Sequence, residues 1–224
     1  MQAPTAPVNR PAWAQRFRSI VFEGPIGVGK SSLARKFAQR FGFELLLEAP
    51  EENPFLENFY KDSARYALQT QLFFLFQRID QLRSLAQRDF FAEHLVSDFM
   101  LAKDPLFARL TLSEEELGLY QKIYDSLRPQ VPVPDLVILL QAPAQQLIDR
   151  IAQRGVAMEQ NMSAHYLVDL TEAYTQFFHH YDESPLLIVN TMALNPVERE
   201  DDFETLVSQI SSFRGRRAHF NLQP

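Results

Sequence analysis

The chain has 224 residues, 46% of them hydrophobic, which is enough to bury a sizeable core and reads as one domain. Twenty-eight Asp and Glu against 22 Lys and Arg leave a formal net charge of -6, which argues against a surface that coats nucleic acid and favours a soluble cytosolic enzyme. With no cysteine there is no disulfide, thiolate metal site or cysteine nucleophile, and no apolar run approaches the roughly 18 residues that span a bilayer.

Residues 1–16 hold Pro4, Pro7 and Pro11, two arginines and no acid. They read as a disordered tail, with prolines that break any amphipathic targeting helix. Phe17–Phe22 reads as a buried strand. It runs into Gly24-Pro25-Ile26-Gly27-Val28-Gly29-Lys30-Ser31, which fills every fixed position of the G-x-x-x-x-G-K-[ST] phosphate loop. Lys30–Phe41 follows as a helix, with Leu33, Ala34, Phe37, Ala38 and Phe41 on one face and Gly42 as its stop. Strand, loop and helix stand in the order that a nucleoside triphosphate site requires. Backbone N–H groups of the loop would face the phosphates, Lys30 would reach the β and γ positions, the Ser31 hydroxyl could ligate Mg²⁺, and Ser32 follows in the first helical turn.

Further along, Phe43–Glu48 reads as a second strand and 64–87 as a long helix, with Leu72, Leu75, Phe76, Ile79, Leu82 and Leu85 as its apolar stripe. His94–Asp98 reads as a third strand. Ser113 and Glu116 form a capping box that opens a helix ending before Pro129. Asp135–Gln141 is the fourth strand, 144–154 a helix stopped by Gly155, 163–181 another helix, and Leu186–Asn190 the fifth strand. A closing helix spans 201–213, and residues 214–224 form a basic C-terminal tail. Strands alternating with helices imply right-handed crossovers and a five-stranded parallel sheet covered on both faces, an α/β fold occupying residues 17–213.

Ligands of such sheets collect at the carboxyl ends of the strands, where Glu48 and Asp98 both fall. Phosphoryl transfer needs a group that deprotonates the nucleophile, together with cations and Mg²⁺. Glu48 suits the base and Asp98 a metal-shell or relay acid; an acid at a strand end can equally cap the next helix or stay solvated. On the long helix, Gln71 and Arg78 stand two turns apart and share a face, with the glutamine offering the donor and acceptor that a nucleobase edge needs. An ordinary solvated helix face would have the same spacing. Arg150 and Arg154, at i,i+4, suit a clamp on a transferring phosphoryl and equally suit the dipole of a helix C-terminus.

Taken together, these segments resemble the deoxynucleoside kinase family, especially its bacterial deoxyadenosine/deoxyguanosine kinase branch, from about Ile20 to Thr191. Glu23 precedes the loop, as an acid commonly does in that family, and Glu48-Ala49-Pro50-Glu51-Glu52-Asn53-Pro54-Phe55-Leu56 resembles the segment that begins with its general base. Tyr60 stands eleven residues before Gln71, Arg78 seven after it, and Asp104 six past Asp98. The resemblance implies a P-loop kinase fold with an arginine-bearing lid, ATP and Mg²⁺ as cofactors, and a deoxynucleoside as substrate. It implies that Glu48 takes the proton of the 5′-hydroxyl, with Tyr60 and Glu159 on the 3′-hydroxyl and Gln71 on the base. Arg78 and Asp104 would favour a purine or deoxycytidine over thymidine, and Arg150 and Arg154 would clamp the phosphates. It also implies a homodimer through the long helices, with no nucleic-acid polymer and no membrane as partner.

Three positions depart from the family pattern. Phe99 follows Asp98 where an arginine is common, Val156 follows Gly155 where the lid has another cation, and Asn190 replaces a common aspartate. Lys103 is the nearest charge in sequence that could replace the first. Two other readings stay open on the sequence: a nucleoside monophosphate kinase of the thymidylate type, and a nucleotide-binding regulatory protein without turnover.

Overall fold

The computed structural model describes residues 10–87, 94–127 and 133–222. The strands are β1 (Ser19–Glu23), β2 (Glu44–Leu46), β3 (Leu95–Ser97), β4 (Leu136–Gln141), β5 (Leu186–Asn190) and β6 (Arg217–Phe220). The helices are α1 (Lys30–Phe41), α2 (Leu56–Lys61), α3 (Ser63–Gln87), α4 (Asp104–Thr111), α5 (Glu114–Leu127), α6 (Ala144–Arg154), α7 (Ala164–His180) and α8 (Glu200–Ser212). All strand pairs are parallel, in the order β2-β3-β1-β4-β5-β6.

β4 shows why the sheet needs cover on both faces. Leu136, Ile138 and Leu140 join one core with Phe37 of α1 and Leu206 of α8, while Val137 and Leu139 join another with Leu106 of α4 and Leu170 of α7. A strand buried on both sides reads as an unbroken apolar run, and this one does. A third cluster, Leu75, Ile79, Phe99 and Tyr120, welds α3 to α5 and to the turn after β3. No helix among the described residues is long and apolar enough to cross a membrane.

Local signals in the sequence correspond to local structure. Gly42 ends α1 in the left-handed region (φ 64°) with its N–H on Ala38 O. Ser113 and Glu116 exchange their capping-box bonds at 3.1 and 3.3 Å. Ser163 caps α7 through Tyr166 N at 3.1 Å.

Three expectations are corrected. The sheet has six strands, because the expected C-terminal tail supplies β6: Leu186 N reaches back to Arg216 O at 2.8 Å. There Arg217 donates to Phe178 O and Tyr181 O at the C-terminal end of α7, whose last carbonyls need donors. The expected N-terminal tail is also partly folded. Ala12–Gln15 forms a turn of 3-10 helix, and Trp13 packs into the core against Phe37, Phe41 and Phe43; residues 1–9 of that expectation lie outside the described residues. Finally, Phe76 is 47% exposed and is no part of the buried stripe of α3, because the face of that helix that joins the cluster with α5 is the one bearing Leu72, Leu75, Ile79, Leu82 and Leu85.

Candidate active site

The strand order reverses at the adjacent strands β1 and β3: the chain leaves β1 toward β2 on one side of the sheet and leaves β3 toward β4 on the other. A crevice therefore opens at the carboxyl ends of the strands. The phosphate loop spans it. Gly24 has φ 143°, and a Cβ there would lie 2.4 Å from Leu140 O; Gly27 has φ 83°, and its Cβ would lie 2.8 Å from Ile151 Cγ1. Both conformations and both approaches exclude side chains.

Beneath the loop, Glu23 is fully buried. It accepts from Gly24 N at 3.1 Å, Met100 N at 2.9 Å and Tyr174 Oη at 3.1 Å, joining β1 to the turn after β3 and to α7. Lys30 Nζ donates to Pro25 O at 3.1 Å. Burial, and after it the charge of Lys103, lower the Lys30 ammonium to about 8 against the pull of Glu23, Asp98 and Glu48.

Two cavities meet here. One is walled by Gly27, Val28, Gly29, Arg150, Arg154, Thr191 and the segment Leu194–Glu198. The other is walled by Ile26, Gly27, Lys30, Ser31, Glu48, Tyr60, Gln71, Arg78, Asp98, Lys103, Arg154 and Glu159, with Thr70, Phe74, Phe107 and Tyr166 among its further lining. Gly27 and Arg154 belong to both. Gly24, Pro25 and Ser32 line neither; Gly24 and Pro25 shape the loop, and Ser32 lies exposed on α1.

The segment that carries Glu48 is held at both ends. Asp98 Oδ1 accepts from Glu48 N at 2.8 Å, tying the end of β2 to the end of β3. From α3, Gln81 donates to Leu47 O at 3.0 Å and Gln77 to Ala49 O at 3.1 Å. After β3, Ser97 Oγ donates to Phe99 O at 2.8 Å and accepts from Phe99 N, a turn that sends Phe99 into the apolar cluster. Gln71 and Arg78 face inward, each 3% exposed, so they are no solvated helix face.

Arg78 Nε donates to Glu48 Oε1 at 2.7 Å, and its Nη1 donates to Asp104 Oδ1. Burial opposes the Arg78 charge, but Asp104 and Glu48 outweigh it and hold its pKa above the ordinary value. Burial alone would raise Glu48; Arg78 and Lys103 overcome it and bring the carboxyl down to about 2. Asp104, fully buried, is pushed up to about 6 by burial against the pull of Arg78, and its Oδ2 has no hydrogen-bond partner among the described residues. Burial, with Tyr166 and Glu159 nearby, keeps Tyr60 a neutral phenol well above its usual pKa.

The two lid arginines occupy different places. Arg154 pairs with Glu159 at 2.6 Å, bringing together the residues expected to hold the sugar and to clamp the phosphates. Arg150 turns away to Thr191, donating to its Oγ1 at 3.2 Å and its carbonyl at 3.0 Å, and lines only the first cavity. Asn190 Oδ1 accepts from Met192 N at 2.9 Å and so shapes the turn that presents Thr191.

Sequence reasoning missed the structural part of Glu23, the glutamine clamps from α3, and Thr70, Phe74 and Tyr166 on the cavity wall. A helix presents many polar and aromatic side chains, and spacing does not mark which of them meets a strand end.

Comparison with known proteins agrees with this geometry. The deoxynucleoside kinase family model matches residues 20–214. The deoxyguanosine kinase of Bacillus subtilis is 33% identical over 198 residues, 85% of this chain and 95% of that protein. The deoxyadenosine/deoxycytidine kinase of the same organism is 29% identical over 201 residues, 86% and 91% of the two chains. Among solved structures, the deoxyadenosine kinase of M. mycoides with the products dCMP and a flexible dCDP superposes with a TM-score of 0.75 at 26% identity, over 87% of this chain and 99% of that one. The chain belongs to the deoxynucleoside kinase family.

Proposed function

We propose that this protein transfers the γ-phosphoryl group of ATP to the 5′-hydroxyl of a deoxynucleoside, with a purine or deoxycytidine preferred over thymidine. One observation carries the reading. In a single cavity, a carboxylate (Glu48) stands with the phosphate-loop residues Lys30 and Ser31 at one end and with Gln71 and Arg78 at the other, where the buried Asp104 backs Arg78. The first group suits phosphoryl transfer and the second suits a base edge with both donors and acceptors.

In this reading the nucleoside lies along the cavity with its 5′-oxygen at Glu48, which is ionised and takes the proton. Arg154 sits between the two cavities, where the phosphoryl passes, while Arg150 walls the donor side. Tyr60 and Glu159 hold the sugar. Mg²⁺ is commonly held by one or two protein oxygens plus substrate phosphates. Ser31 on the cavity wall fits that donor set, and among the described residues no group of three His, Cys, Asp or Glu forms a protein cage. When bound, the ion would neutralise charge on the donor phosphates.

The thymidylate-type reading needs a cationic seat for the acceptor's own phosphate, and Glu48 would repel that group. We read the protein as cytosolic, on its acidic charge and lack of cysteine. We also read it as a homodimer, a reading that draws on the exposed Phe76, Leu119 and Val168 of α3, α5 and α7; light scattering after size exclusion tests this.

The test of activity supplies ATP and Mg²⁺ with deoxyadenosine, deoxyguanosine, deoxycytidine, thymidine and their monophosphates in parallel. Turnover of a purine deoxynucleoside or deoxycytidine is expected. Turnover of monophosphates alone supports the rival kinase, and none at all supports the regulatory protein.

A further inference from the structure

Lys103 is the last residue of a 3-10 turn, Leu101–Lys103, and is 1% exposed. Its Nζ lies 3.5 Å from Glu23 Oε1 and 3.6 Å from Glu48 Oε1, and 5.9 Å from the centre of the Phe107 ring. A buried lysine needs a reason, since desolvating an ammonium is costly. Neutralising Glu23 is not a sufficient one. That carboxylate already accepts from two backbone N–H groups and a tyrosine, at shorter distances than its ion pair with Lys103. Nor is Glu48 short of a cation, since Arg78 binds it at closer range.

The ammonium has three donors, and neither of its carboxylate contacts is shorter than 3.5 Å. It faces the same cavity as Lys30. Two ammonium groups lining one cavity suit a polyanion arriving there.

We propose that Lys103 is a catalytic cation of the phosphoryl transfer, donating to an oxygen of the transferring group beside the attacking 5′-oxygen. The inference rests on the kinase reading above. In the step, the 5′-hydroxyl gives its proton to Glu48 and the O5′–Pγ bond forms. The bond from Pγ to the β-phosphate oxygen breaks, its electron pair leaving on ADP. Protonation removes the charge of Glu48, and with it one of the two attractions on Lys103. The ammonium is thus released toward the phosphoryl oxygens as their charge spreads.

The experiment compares wild type with Lys103→Met and Lys103→Gln by single-turnover phosphoryl transfer at saturating ATP and nucleoside, nucleoside titration and thermal unfolding. The Met variant should lose about 10²-fold or more in the transfer rate, the scale of one lost oxyanion donor, with nucleoside affinity within about threefold of wild type. Lys103→Gln keeps a hydrogen-bond donor for the two carboxylates but no charge, so it should unfold closer to wild type than the Met variant does and lose rate to a similar degree. Lys103→Ala should regain at least about tenfold in rate on addition of ethylammonium. A wild-type rate in the Gln variant, or a loss confined to nucleoside affinity, overturns the proposal alone. No turnover by the wild type with any deoxynucleoside overturns the kinase reading, and the proposal with it.

Discussion

Arg78 bridges Glu48 and Asp104: its Nε donates to the first at 2.7 Å and its Nη1 to the second, with 4% of the arginine side chain exposed. The residue that resemblance assigns to base reading is therefore bonded to the residue it assigns to proton transfer. A change at the base end of the cavity should be felt at the reacting end.

Replacing Arg78 alone should be costly. Arg78→Met leaves Asp104 buried without its cation, a loss of about 3–5 kcal/mol for a broken buried pair. Arg78→Met with Asp104→Ala removes both charges and should be the more stable of the two variants. The double variant should also shift preference toward thymidine. Chemical denaturation and competition between nucleosides measure the two effects, and an unchanged preference order refutes the base-reading assignment.

Glu48→Gln keeps the shape of the site and removes the proton acceptor. Turnover should fall by about 10²- to 10⁴-fold, the usual contribution of a positioned base, with nucleoside affinity nearly unchanged. Near-wild-type turnover removes Glu48 from that role.

Acid pH should expose the electrostatics of the same group. Glu48 is depressed to about 2 from an ordinary 4.5, mainly by Arg78 and Lys103 acting against burial. A carboxyl held lower in the folded chain than in the unfolded one contributes stability that is complete above about 4.5 and fades as pH falls toward 2. Asp104, pushed up to about 6 from 3.8, works the other way, and its contribution declines as pH rises between those values. The stability difference between wild type and Glu48→Gln should therefore shrink as pH drops below 4.5, which thermal melts across pH 3–7 will register. A difference that is flat across that range contradicts the depressed carboxyl.

Removing residues 1–16 should destabilise the protein rather than trim a tail. Trp13 is 7% exposed and touches three phenylalanine rings, and losing such a side chain costs about 3–5 kcal/mol. Trp13→Ala should account for most of the loss. As the single tryptophan of the chain, Trp13 also reports unfolding by its own fluorescence.

Gly27→Ala should impair nucleotide binding with a smaller effect on folding than Gly24→Ala, since its Cβ would meet the Ile151 side chain at 2.8 Å and Leu147 O only at 3.0 Å, in a left-handed loop conformation (φ 83°) that the alanine would strain. Gly24→Ala should impair folding itself, because its Cβ would meet the backbone oxygen of Leu140 at 2.4 Å. Nucleotide titration and urea unfolding of the two variants separate these outcomes.

What could be read from the residues in order was whatever depends on short-range patterning. The phosphate loop, the stop at Gly42, the capping box at Ser113 and the unbroken apolar run of β4 follow from backbone conformation and local periodicity, which a few neighbouring residues dictate. Spacing also placed Glu48 and Asp98 at strand ends, and the parallel α/β class came from the alternation of strands with helices. Tertiary structure alone decided the rest. Trp13 and β6 are built from segments whose composition suits a tail, and they are ordered because a distant core and a sheet edge accept them. The spacing of Gln71 and Arg78 is the same for a solvated helix face and for a cavity wall; packing of α3 over the strand ends selects the wall. Lys103 lies in a short turn with no periodic signal, and only the joining of β1, β2 and that turn sets its ammonium beside Glu23 and Glu48. Charges separated by tens of residues meet through the course of the whole chain, and no local pattern encodes that course.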